Sequence, residues 1–162
     1  LYAAAGLDLN AELDALNAAP RIAADPGAVN YLSTNIIFNG NLSGVPVLTM
    51  HTTGDGLVEN QDEQSYLNAV RNAGDPQLLR QIFVHRAGHC AFTPAEMLTA
   101  LNTLLARVHT GSWPAAVGSP DALNAAAGAL DPSLNFLPPA FVDFTPTKFL
   151  RPFTTFDAAG GA

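Results

Sequence analysis

Lysine is almost missing from this chain: Lys148 is the only one, and charged residues make up 13% of the sequence, about half the usual ~25%. So few charges can solvate only part of an exterior, and much of the surface is expected to lie against something else. The six arginines are scattered and the net charge is −7. Phosphate binding needs clustered Lys and Arg, which excludes nucleic acid as a partner. No apolar run approaches the ~20 residues needed to span a bilayer. Cysteine occurs once, as Cys90, so no disulfide can close within the chain. The sequence starts at Leu1 with no basic leader, and no signal peptide is visible.

What is present is a chain of 162 residues, 48% hydrophobic and rich in alanine. That length fits one domain burying about two-thirds of its unfolded surface. In residues 1–44, Leu9, Leu13 and Leu16 recur at the spacing of one helical face, and Pro20 ends the segment. Asp25-Pro26 offers an N-cap followed by proline at the first helical position, and Asn39-Gly40-Asn41 is a turn signal. Asn41-Leu42-Ser43 matches the glycosylation sequon, a triplet that arises often by chance.

Residues 45–111 are more regular. Val45 to His51 reads as a buried parallel strand, with Pro46 tolerated near its start. A helix follows, with Asn60 and Glu63 at capping-box spacing, Tyr66, Leu67, Val70 and Ala73 on one face, and Gly74 at the stop. Leu78 to Val84 reads as a second strand. Thr93-Pro94-Ala95-Glu96 then starts a helix by the same chemistry, and the leucine run at 97–108 continues it to Gly111 as core packing. The expectation is a strand–helix–strand–helix unit of α/β class.

The stretch 112–162 differs. Residues 131–156 hold five of the twelve prolines (132, 138, 139, 146, 152) and six of the nine phenylalanines (136, 141, 144, 149, 153, 156). A disordered linker would be poor in aromatics, so this segment reads as an extended arm docking its rings on a folded body. Two parallel strands do not make a stable sheet. Either a segment read as loop is a strand, or the chain completes a sheet begun by other residues.

The chemistry sits where the two strands end. Asp55 lies in a Gly-flanked turn after the first strand, and His89 lies in Arg86-Ala87-Gly88-His89-Cys90 after the second. Parallel strands open both turns at the carboxyl edge, where α/β proteins place their sites. Adjacent strands are only ~4.8 Å apart, so a carboxylate there can reach an imidazole and fix its tautomer. The plain alternatives are an Asp-Gly turn-former and an ordinary loop histidine. Glu59, Asp62 and Glu63 are rival acids, placed where a helix start favours negative charge. His85 and His89 straddle a strand end and a glycine, which argues against a helical metal pair. His51 is expected to be buried, and His109 to close a helix C-terminus.

The run His51-Thr52-Thr53-Gly54-Asp55-Gly56-Leu57-Val58, followed by a helix, a strand and Ala87-Gly88-His89, resembles the C-terminal part of α/β-hydrolases. In that fold the triad order is Ser, Asp/Glu, His, and the 34 residues between Asp55 and His89 suit it. The resemblance implies the last parallel strands with flanking helices, preceded by a cap-like segment. It also implies Asp55 as triad acid and His89 as general base, with no cofactor and no metal.

The departure is large. None of the serines at 33, 43, 65, 112, 119 and 133 lies in a Gly-x-Ser-x-Gly elbow. The nucleophile and the first five or six strands are therefore expected in a preceding segment or chain, and this chain alone is expected to be inactive. A cysteine directly after the histidine is similar to tannase and fungal feruloyl-esterase relatives, where it pairs with a cysteine beside the nucleophile. Phe92-Thr93-Pro94-Ala95-Glu96 departs from that family. Such a pairing would imply an oxidising, extracellular setting, and the lysine-poor composition also hints at secretion. From the residues alone, Cys90 as a nucleophile is an open alternative, disfavoured because the adjacent ring is expected to point poorly at it. Cys90 reads rather as a buried thiol or a disulfide. The functional expectation is serine hydrolysis of an ester, with a prolyl-oligopeptidase-like peptidase and a non-catalytic scaffold of the same shape as alternatives.

Overall fold

The computed structural model describes residues 1–20 and 22–149. Pro152, Phe153 and Phe156 of the expected arm lie outside the described residues. The chain divides into two units, Leu1–Ile37 and Phe38–Ala162.

The first unit holds α1 (Leu9–Ala18) and α2 (Pro26–Asn35). Each has an aspartate N-cap: Asp8 accepts from the N–H groups of Asn10 and Ala11, and Asp25 from that of Ala28. These caps satisfy donors that the first helical turn leaves free. Every described residue of this unit is exposed.

The second unit is a three-stranded mixed sheet with helices on both faces. In order come β1 (Val47–Gly54), α3 (Gln61–Asn72), β2 (Leu79–Ala87), α4 (Pro94–Thr110), α5 (Pro120–Gly128) and β3 (Phe141–Val142). Strand order is β1-β2-β3. β1 and β2 run parallel from Val47 opposite Leu79 to Thr52 opposite Val84, and an irregularity then sets Gly54 opposite Ala87. β3 pairs antiparallel with β2, Phe83 facing Val142 and Val84 facing Phe141.

Side chains alternate across a strand, and the two cores follow that period. Ile82 and Val84, with Leu48 and Met50 beside them, face Ala95, Ala100, Leu123, Ala127 and Phe141. On the opposite face Leu79 and Val47 meet Leu42, Val70, Leu78, Tyr66 and Leu67. The stretch 38–44 packs with this unit: the Leu42 N–H donates to Asp75 Oδ2 at 2.8 Å. At Gly40, with φ +86°, a Cβ would fall 1.9 Å from the Ala69 carbonyl oxygen, so only glycine fits.

Several expectations are corrected. Both strands run further than their apolar cores, β1 through Gly54 and β2 through Ala87. A third strand exists, so a segment read as loop is a strand, as the first of the two alternatives allowed, and α5 lies in the stretch expected to be an extended arm. Phe141 is buried and Phe144 packs on Phe83 at 5.2 Å, but Phe136 is exposed. The capping box expected at Asn60 and Glu63 does not form; Asn60 makes no side-chain cap. Glu63 turns to the sheet, accepting from Thr49 Oγ1 at 2.6 Å and from Gln81.

The leucine run of α4 is also reversed. Its buried residues are Ala95, Glu96, Thr99, Ala100 and Thr103, while Met97, Leu98, Leu101, Leu105 and Val108 are exposed. The start of α4 is as its sequence specifies, with a complete capping box between Thr93 and Glu96 and Gly111 left-handed at the stop.

Candidate active site

The two carboxyl-edge turns are joined by hydrogen bonds before any side chain of the site is considered. The Gly88 N–H donates to the Gly54 carbonyl at 3.0 Å, and Thr52 Oγ1 donates to the Gly88 carbonyl at 2.7 Å. Asn60 Nδ2 donates to the Thr53 carbonyl at 3.0 Å, which fixes the turn carrying Asp55 to the start of α3. Gly88 has φ +106°, a value a side chain would strain. That sharp turn brings the next residue back over the end of β1.

His89 consequently meets Asp55, its Nδ1 lying 2.8 Å from Asp55 Oδ2. The other carboxylate oxygen accepts from the N–H groups of Leu57 at 2.8 Å and Val58 at 3.0 Å. The Asp55 side chain is nearly covered, at 4% exposure, while the imidazole is 44% exposed. The Asp55 pKa is lowered to about 2. The main cause is the Val58 N–H, opposed by desolvation and aided by the Leu57 N–H and by His89. An ionised carboxylate at Nδ1 selects the tautomer with its proton there, leaving Nε2 to accept.

Nε2 lies 3.5 Å from Cys90 Sγ. The thiol is free and exposed, which corrects the expectation of a buried thiol and of a ring that points away from it. Cys90 itself sits at φ +52°. His51 is buried, with Nδ1 2.9 Å from the Thr52 carbonyl. His85 meets Thr53 Oγ1 at 3.2 Å. Neither joins the Asp55–His89 pair, and no cluster of three or more His, Cys, Asp or Glu is arranged as metal ligands among the described residues.

The support behind His89 was only half visible in the sequence. Glu96 reads there as a helix cap, but it is also fully buried against Arg86, with N···O distances of 2.7 and 3.1 Å. It further accepts from the Ala140 N–H at 2.9 Å. Arg86 donates to the carbonyls of Ala91 at 2.8 Å and Pro138 at 3.1 Å. One ion pair thus ties the end of β2, the His89 loop, the start of α4 and the approach to β3. Burial pushes the Glu96 carboxyl up, but Arg86 and the N–H groups of Thr93 and Ala140 outweigh it and hold its pKa below the usual value. No periodic signal links positions 86 and 96; only the fold joins them.

A hollow of about 260 Å³ lies beside β3, lined in part by Ile82, Phe83, Leu123, Phe141 and Phe144. Its lining does not include Asp55 or His89. Asp55 and His89 lie instead at the carboxyl ends of β1 and β2.

Comparison with known proteins gives one informative match. The chain is similar to an o-phthalyl amidase from Xanthobacter agilis, 38% identical over 132 residues. That match covers 80% of this chain and 28% of the amidase. The chain thus spans under a third of the curated relative it matches, and resembles one part of a larger hydrolase. No family model and no solved structure matches it.

Proposed function

We propose that this chain supplies the acid and base of an acyl-transfer hydrolase whose nucleophile lies on residues outside it. The observation that carries this reading is the Asp55–His89 contact at 2.8 Å, with the carboxylate anchored by two backbone N–H groups. In the complete molecule His89 Nε2 takes the proton of a serine hydroxyl as the oxygen attacks a carbonyl carbon. Asp55 holds the ring and stabilises the imidazolium. His89 then returns the proton to the leaving group, and water cleaves the acyl-enzyme with the same base. The similar amidase favours an amide as the scissile bond over the ester expected from the sequence. Both are opened by the same steps and differ in the leaving group, which is an amine for one and an alcohol for the other.

The test uses the longest natural polypeptide that contains these residues, assayed on matched aryl amides and esters. His89→Ala and Asp55→Asn are each expected to lower kcat by about 10⁴-fold, the effect of losing the base or its tautomer. Cys90→Ala is expected to stay within about threefold, because a thiol beside Nε2 is not the nucleophile in this reading. Wild-type turnover unchanged in Asp55→Asn would leave the chain as a scaffold that keeps the hydrolase shape. Loss of turnover in Cys90→Ala would move the nucleophile into this chain.

A further inference from the structure

The end of β2 leaves regular pairing just before the site. Thr52 stands opposite Val84, but Gly54 stands opposite Ala87. His85 and Arg86 therefore share the place facing Thr53, and β2 carries an extra residue there. Such a bulge bends its strand and re-aims the side chains that follow. Gly88 then turns at φ +106° and Cys90 at φ +52°. Glycine enters that region freely, whereas a cysteine persists there only where its neighbours over-determine it. His89 lies between the two. Its ring is aimed by a backbone whose shape other groups must enforce.

Two side chains do so, one on each side of His89. Thr52, only 1% exposed, donates from Oγ1 to the Gly88 carbonyl at 2.7 Å. Arg86 donates from Nη1 to the Ala91 carbonyl at 2.8 Å, and so laces the loop back to its own strand. Both terminal nitrogens of Arg86 are fixed in turn by the buried Glu96. Between them the Phe92 N–H donates to the Cys90 carbonyl at 2.8 Å. These bonds go to the chain around His89, not to its ring or to Asp55.

We propose that Thr52 and Arg86 are positioning residues for the acid–base step. Together they set the path of residues 88–91, and through it the seating of the His89 ring on Asp55. The inference rests on the reading that His89 is the general base, and deepens it by naming what aims that base. Misplacing a reacting group by about 1 Å costs on the order of 10²-fold in rate. Bonds that never touch substrate are therefore expected to show in kcat.

Thr52→Val keeps the side-chain shape and suits a strand, while removing the hydroxyl; Thr52→Ser puts a hydroxyl back. The experiment is steady-state kinetics of these variants of the longest natural polypeptide containing these residues, on an aryl amide or ester. It is paired with the downfield ¹H NMR resonance of the proton between His89 Nδ1 and Asp55. Thr52→Val is expected to lower kcat about 10- to 100-fold with KM within about threefold, and to shift or broaden the resonance. Thr52→Ser is expected to stay within about threefold of the wild-type kcat, with the resonance in place. Arg86→Lys keeps a cation opposite Glu96 but cannot reach carboxylate and carbonyls together. It is expected to act as Thr52→Val does, and decides the question should that variant not fold.

The proposal is overturned by a fall in kcat with an unmoved resonance, or by a fall that Thr52→Ser shares. An active polypeptide indifferent to both Thr52→Val and Arg86→Lys refutes the positioning role alone. A polypeptide without turnover, whose resonance is present and is lost in Thr52→Val, refutes the functional reading alone.

Discussion

Helices α1 and α2 and helix α4 are specified by the same local chemistry, yet they end in opposite circumstances. All three have a side-chain N-cap, from Asp8, Asp25 and Thr93 respectively. Of the three, only the last has buried residues among those described. Glu96 of its capping box is also the buried partner of Arg86 and of the Ala140 N–H, whereas residues 1–37 bury no described side chain. A cap is worth about 1 kcal/mol, enough to set where a helix starts and too little to set what it packs on. Burial has to come from partners, and among the described residues it is found on one side of α4 and at no position of α1 or α2.

The contrast can be broken most sharply at Glu96. Glu96→Ala leaves Arg86 buried without its partner and is expected to cost about 3–5 kcal/mol in urea unfolding. A cost no larger than that of an ordinary cap would mean that the pair does not organise this region. Leu123→Ala removes a buried side chain of the first core and is expected to cost about 2–5 kcal/mol. Leu13→Ala in the 162-residue chain should change stability by less than about 0.5 kcal/mol, because Leu13 is exposed. The same substitution in a longer natural polypeptide is expected to cost more, if other residues cover that helix there. Asp25→Ala should cost about 1 kcal/mol of helix stability, read by circular dichroism.

The smallest expected effect concerns pH. Asp55 has its pKa lowered to about 2 from 3.8, so its stabilising contribution is full above about pH 4 and lost as pH falls towards 2. Glu96 acts in the same direction. In Asp55→Asn the part of the acid limb due to Asp55 should vanish while the part due to Glu96 remains. An unchanged acid limb in that variant would mean that Asp55 is not held in its ionised form.

The order of elements from β1 to α4 was legible because each carries a local signal: apolar strand runs, a proline after a capping threonine, a glycine at each stop. The meeting of Asp55 with His89 was legible for a topological reason, since parallel neighbours must open their turns at one edge. β3 was not legible. It is two residues long and is held by its partner strand and by Asn124, which bonds the Phe141 N–H and carbonyl. The outward leucines of α4 were misread because periodicity identifies an apolar face without saying which body covers it. Asn60 and Glu63 have cap spacing, but the turn after β1 and the side chains of Thr49 and Gln81 compete for them and win.

The claim at the centre is that Asp55 and His89 act on a nucleophile that this chain does not carry. Its most direct test is labelling of the longest natural polypeptide with a fluorophosphonate, which traps an activated serine, followed by mapping of the adduct. The account expects one phosphonylated serine outside residues 1–162, and no label after His89→Ala. A label on Cys90 or on a serine of this chain, or a serine adduct that forms equally well without His89, would contradict it.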